Sequence, residues 1–273
     1  MAELRAAWAI ALRDLRTVLR YRLWIPSMIF NLLYQGVIPA FLFGAAFAVG
    51  GRQLGLAASL GTDDLAGFLF MGGVVSSIVA MAFWVMAFSL RTEMDTGTLE
   101  ASWLTPTRRE TLVLGRGIWG LMLVGLIQAA LFAIGIAFFG LEVRPEAALA
   151  APAIALSLVG AAGVGYLVAA AVIVMKEANF FVDTTQFLFS MLSGVAFPIS
   201  VLPAFAQAVA VLLPTTWAVE ILRYHSLGAR PVADLGAEYV ALAVTSAAFL
   251  PLGVGTFRRA DRWLRVHGTV GQY

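Results

Sequence analysis

The chain has 273 residues, of which 61% are hydrophobic and only 12% charged, with a formal net charge of +2 and a mean hydropathy of +0.89. Soluble domains carry about a quarter charged residues, so this balance points to an integral membrane protein built from helices. With no cysteine and two histidines, His225 and His267, disulfides and cysteine-ligated zinc are excluded, no metal site is expected, and haem ligation or a histidine proton relay has almost no material.

Residues 1–23 carry charges throughout, with no uninterrupted apolar core before a small-residue cleavage site, so they do not read as a signal peptide. At about 100° per residue, Arg5, Arg13, Arg16 and Arg20 share one arc, and Leu4, Trp8, Leu12, Leu15 and Leu19 fill the neighbouring one. That pattern predicts a helix lying in the membrane interface, as an anchor or as a contact for a partner.

A crossing needs about 20 apolar residues. Six stretches are predicted to span: Pro26–Val49, Leu65–Leu90, Leu112–Phe139, Leu149–Met175, Phe180–Val195 and Leu235–Phe257. Asn31, Tyr34 and Gln35 cluster in the first, Gln128 lies in the third, and Gln186 and Ser190 lie in the fifth. Such groups are costly against lipid, so they face protein or a water-filled path. In the fourth span Ser157, Ala161, Gly165 and Ala169 recur every four residues, a small-residue stripe for close helix packing.

With both termini inside, fourteen of the eighteen basic residues fall on the cytoplasmic side, leaving Arg52, Arg144, Arg223 and Arg230 outside. This arginine bias sets the orientation. It places the polar loop 91–110, "RTEMDTGTLEASWLTPTRRE", in the cytoplasm. There Thr98 is positioned to cap a short helix that Pro106 ends, Leu99 and Trp103 share a face, and Glu100, Arg108 and Arg109 surround it with charge. That is either a docking surface or a solvated loop whose arginines fix topology.

After the fifth span, Pro198, Pro203 and Pro214 divide residues 193–225. The apolar piece between the last two would rise only about 15 Å as a helix and cannot cross alone. A pair of short re-entrant helices dipping in from the external side is expected over 194–225. Glu220 and Arg223, three apart, read as a helix-surface ion pair.

Neither a zinc-protease HExxH motif nor a G-x-S-x-G elbow occurs, so a membrane hydrolase is not expected. The sole lysine, Lys176, follows no glycine-rich loop. If ATP drives this protein, the nucleotide must bind another polypeptide.

Two runs carry a resemblance. Glu93, Gly97, Thr98, Leu99, Glu100, Thr105 and Pro106 resemble the signature after the second span in permeases of type-2 ATP-binding-cassette exporters. The later run Ser193, Gly194, Phe197, Pro198, Leu202, Pro203, Leu213, Pro214, Glu220, Ile221, Leu222 and Arg223 is similar to that family's segment after the fifth span. The resemblance covers essentially the whole chain as a single permease domain. It implies a coupling helix within Gly97–Leu104, with Glu93, Gly97, Thr98, Leu99, Glu100 and Trp103 meeting a separate ATPase. It further implies two permease chains with two ATPase chains that bind ATP and Mg, and a path lined by the first and fifth spans, hence by Asn31, Tyr34, Gln35, Gln186 and Ser190. Gly194, Phe197, Pro198, Pro203, Pro214, Glu220 and Arg223 would belong to the external re-entrant segment. The expected role is export of an amphipathic, drug-like, lipid or glycoconjugate substrate across the cell membrane, with no cofactor in the chain itself and no nucleic-acid partner. A gradient-driven transporter and a non-transporting scaffold are the rival expectations.

Overall fold

The computed structural model describes residues 2–20, 23–33, 38, 41–42, 62, 64–95, 108–175 and 178–267. Among them there is no strand. The helices are α1 (Ala2–Arg20), α2 (Trp24–Leu32), α3 (Leu65–Asp95), α4 (Arg109–Phe139), α5 (Ala151–Met175), α6 (Ala178–Leu192), α7 (Ala204–Ala210), α8 (Pro214–Leu227) and α9 (Leu235–His267). A 3₁₀ helix, Pro145–Ala150, leads into α5.

Four segments among the described residues are long and apolar enough to cross a membrane: Leu65–Phe88, Arg109–Phe139, Pro145–Met175 and Leu235–Leu264. They coincide with the expected second, third, fourth and sixth spans. The helices outrun the apolar stretches, α3 to Asp95 and α9 to His267. Adding a residue to an existing helix costs little, so apolarity can end before the helix does. Of the expected first span, the described part is the α2 stretch from Pro26 to Leu32 and scattered positions beyond it. The expected fifth span is α6, whose 15 residues rise only about 22 Å. It stops at Leu192, three residues before the expected end, because Gly194 turns the chain with φ +72. α7 and α8 then meet at 85° across a break.

α5 is central, packing most extensively on α9 and α3. Lipid tails are as apolar as leucine, so close backbone approach rather than water exclusion must join such helices. The sequence provides that approach on two faces. Toward α3, the stripe Ser157, Ala161, Gly165 and Ala169 is buried, and a methyl on Gly165 would press on Ala82 O at 3.3 Å and Met86 Cγ at 3.4 Å. Toward α9, a methyl on Gly163 would lie 2.6 Å from the Leu250 nitrogen, and one on Gly253 would run into the Gly163 carbonyl.

Asp64 caps α3, accepting from the Gly67 N–H at 2.8 Å. At the opposite end of the bundle, α1 lies against α4. Its contact face is Ala7 and Ala11, both 1% exposed, whereas Trp8 is 50% exposed. Gly115 of α4 admits the helix: a methyl there would sit 2.8 Å from Ala7 O. The helix therefore has three sides, with alanines on protein, large apolar residues beside them, and arginines beyond.

Candidate functional site

The first candidate element is the turn-rich segment after α6. Prolines set its corners. Pro198 and Pro203 stand in extended backbone just before the 3₁₀ helix Ile199–Val201 and α7, and Pro214 opens α8. The Gln207 amide donates to Leu202 O at 2.8 Å and closes the turn before α7. Across the 85° bend, Thr216 Oγ1 donates to Ala210 O at 2.7 Å and Trp217 Nε1 to Val211 O at 3.0 Å.

Arg223 fastens this hairpin to the bundle. Its Nη1 donates to Gly194 O at 2.7 Å, Nη2 to Val195 O at 2.6 Å and Nε to Phe68 O at 3.2 Å. The guanidinium carbon lies 3.3 Å from the centre of the Phe68 ring. The side chain is fully buried, with Glu220 Oε1 3.7 Å from Nη1. The expected helix-surface ion pair is thus corrected. The spacing holds, but both residues are interior, because the guanidinium's main partners are carbonyls beyond the end of α6 and in the first turn of α3. Carbonyl oxygens past a helix C-terminus attract a cation, and the ring adds a cation–π contact. Gly72 makes room, since a methyl there would overlap Val195 O and lie 2.7 Å from Nη2.

Below the latch runs a seam of hydroxyls between α3, α6 and α8. Ser76 Oγ and Ser190 Oγ are 3.1 Å apart, Ser193 pairs with Thr215, and Trp84 Nε1 donates to Gln186 Oε1 at 3.0 Å. The cavity among Ser76, Gln186, Ser190, Ser193 and Thr215 is only about 10 Å³, at the limit for one water. Among the described residues no substrate-sized passage runs along it. On its other side α6 exposes Asp183 and Thr184 together with Phe180, Phe187, Leu188 and Met191. The α6 polar residues therefore divide, with Gln186 and Ser190 turned to α3 and Asp183 and Thr184 outward. Gln128 is structural, its amide donating to Ser77 Oγ and to Val74 O at 3.3 Å.

The second element lies at the other end, where α4 emerges from the polar loop. Glu110 Oε1 accepts from Arg258 Nε at 3.0 Å and Nη2 at 2.8 Å, and Arg109 pairs with Asp261. Tyr166 of α5 donates to the main-chain oxygen of Glu110 at 2.5 Å. Two consecutive residues of opposite sign on α4 thus meet two of opposite sign one turn apart on α9, making a clamp across α4, α5 and α9. Sequence reasoning used Arg109 as a topology charge and as part of the charged surround of the loop, and Arg258 only among the topology charges. The signal available was the reciprocal order, plus then minus at 109–110 against plus then minus at 258 and 261.

Residues 5–226 match the family model of the ABC-2 type transporter. The chain belongs to the ABC-2 type transporter family. No curated protein matches it. As an ABC-2 membrane domain it is a membrane-embedded transport subunit, not itself catalytic, and family members of this kind usually work with an ABC ATPase. The match takes in α1, the hydroxyl seam and the Arg223 latch, and stops before α9, so Arg258 and Asp261 of the clamp lie beyond it.

Of the sites expected of an ABC-2 permease, Gly194, Phe197, Pro198, Pro203, Pro214, Glu220 and Arg223 gather in and around the hairpin, and Gln186 and Ser190 reach the seam beneath it. Asn31 is on α2 and Glu93 in the last turns of α3. Tyr34, Gln35, Gly97, Thr98, Leu99, Glu100 and Trp103 lie outside the described residues.

Proposed function

We propose that this chain is the permease subunit of an ATP-driven exporter, assembled from two permease chains and two cytoplasmic ATPase chains, with six spans, both termini cytoplasmic and the α7–α8 hairpin re-entrant from the external side. The observation that carries the proposal is the family match over residues 5–226 in a chain without a phosphate-binding loop of its own. Further support comes from the exposed face of α6. Asp183 and Thr184 are costly against lipid, so this face lines the path opposite a second permease chain. The aromatic residues beside them suit an amphipathic, drug-like, lipid or glycoconjugate substrate.

Magnitudes suggest which parts move. Carrying a gate from 1:99 to 99:1 takes about 5.5 kcal/mol of differential affinity. Three hydrogen bonds from a charged group, at about 1.5–3 kcal/mol each, come to about 4.5–9 kcal/mol gross, a range that spans that figure. The hairpin therefore stays latched through the cycle and travels with α6 and the start of α3. Motion enters at the cytoplasmic loop, where Leu99, Glu100 and Trp103 dock into the ATPase and Arg109 and Glu110 pass displacement to α9.

The test is mild-detergent purification of the chain from its host, with mass spectrometry of what remains bound, followed by reconstitution. A P-loop ATPase that copurifies with wild type, is lost from Trp103→Ala, and drives ATP-dependent flux in vesicles is the expected result. Glu100→Arg is expected to keep hydrolysis while lowering export severalfold. Flux driven by an ion gradient without any ATPase would instead make the chain a secondary transporter, and no flux at all a scaffold.

A further inference from the structure

The arginine side of α1 is used neither by the hairpin nor by the clamp. Arg5, Arg13, Arg16 and Arg20 are exposed, and a cleft of about 370 Å³ lies along the helix, lined by Ala9, Leu12, Arg13, Arg16 and Arg20. We propose that this cleft binds the phosphodiester headgroup of an anionic phospholipid, whose acyl chains lie along the adjoining apolar arc of α1.

Three features of the helix choose the occupant. Every cation that the described residues give the cleft is a guanidinium, whose planar fork matches phosphate oxygens two at a time. The cleft also lies at a seam: at about 100° per residue, Arg16 follows Leu12 and Trp8 around the helix, so charge gives way to apolar surface within one side-chain width. Trp8 is 50% exposed on that apolar side, and exposed tryptophans commonly anchor at headgroup depth. An acidic protein surface would satisfy the guanidiniums and leave Trp8 and Leu12 facing water. A diacyl phospholipid satisfies both. The third feature is rigidity, because Ala7 and Ala11 are pressed onto α4 at Gly115, so the arginines are presented at a fixed height on the bundle. The site stands apart from the export proposal, and its lipid retention is measured on the purified chain alone.

The experiment places the whole chain in nanodiscs containing equal phosphatidylglycerol and phosphatidylcholine and then counts, by native mass spectrometry, the lipids retained after extraction. Wild type is expected to retain phosphatidylglycerol preferentially. Arg16→Gln with Arg20→Gln is expected to lower that preference about 25-fold, from about fivefold per arginine at an anionic surface. Arg259→Gln with Arg262→Gln removes the same charge from α9 at the same end of the bundle and is expected to leave it intact. Equal loss in both pairs, or none in the first, overturns the proposal. Should the glutamine pair fail to fold, Arg16→Lys with Arg20→Lys keeps the charge without the fork. It is expected to lose part of the preference, and full retention overturns the assignment. Displacement of the lipid by soluble glycerol phosphate at matched concentration would make this a free-phosphate site, and lost ATPase copurification with unchanged lipid retention would give the arc to the protein partner. Either result also overturns the lipid assignment.

Discussion

The two ends of the bundle are both held by arginine, and they are held differently. At the hairpin end Arg223 is fully buried and spends its donors on main-chain carbonyls. At the loop end the Arg258 side chain is 54% exposed and meets a carboxylate. A buried charge is costly to strip of its partners, whereas an exposed pair exchanges them for water at little cost. The Arg258–Glu110 contact is therefore the cheaper of the two to rearrange, although the Arg109–Asp261 pair beside it is largely buried.

Breaking the buried latch gives the largest expected effect. Arg223→Ala leaves Glu220 and three carbonyl oxygens without their cation, a loss of about 3–5 kcal/mol. In a thermal unfolding scan in detergent this amounts to a fall of roughly 10 °C at about 2–4 °C per kcal/mol. Arg223→Lys, which restores charge without the fork, is expected to recover only part. A shift within error of zero for Arg223→Ala would mean the hairpin is not fastened there.

An intermediate effect is expected where polarity is buried without charge. Gln128→Leu removes the hydrogen bonds from α4 to Ser77 and Val74 of α3. Interhelical hydrogen bonds in membrane proteins average about 0.6 kcal/mol and reach about 1.7, so the same scan is expected to move by a few degrees at most. A loss as large as that of Arg223→Ala would erase the distinction drawn between charged and neutral contacts.

The smallest stability effect belongs to the Glu110–Arg258 half of the clamp, whose arginine is exposed. Glu110→Arg or Arg258→Glu is expected to cost less than about 1 kcal/mol. Under the export proposal the two substitutions act on coupling instead: each alone raises the ATP hydrolysed per substrate exported, and the double exchange restores the ratio. Failure of the double exchange to restore it would remove the clamp from the transmission of force.

The spans were legible because a long apolar run is a local property. Leu65–Phe88 and Pro145–Met175 can be found by reading along the chain. The prolines at 198, 203 and 214 likewise announced short broken helices. The role of Arg223 was not legible. Its partners are contributed by residues 28, 29 and 155 positions away, whereas the neighbour that sequence spacing reveals, Glu220, is its most distant contact. The clamp was hidden for the same reason, with Glu110 and Arg258 separated by 148 positions. α1 was half legible: its basic and apolar arcs follow from periodicity, but the face that meets protein is the unremarked pair of alanines, chosen by Gly115 on another helix.

By itself the sequence determined that this is a helical membrane protein with a polar loop after the second apolar run, no nucleotide site of its own and a proline-broken segment near its last third. Composition and periodicity suffice for that, because lipid imposes the same demand on every residue of a span. Tertiary structure alone decided which polar groups became structural and which stayed exposed. Gln128 and Ser190 turn to neighbouring helices, Asp183 turns away, and Arg223 becomes a latch. Those outcomes depend on the rotation of each helix about its own axis, which is fixed by where glycines such as Gly72, Gly115 and Gly163 let another backbone approach.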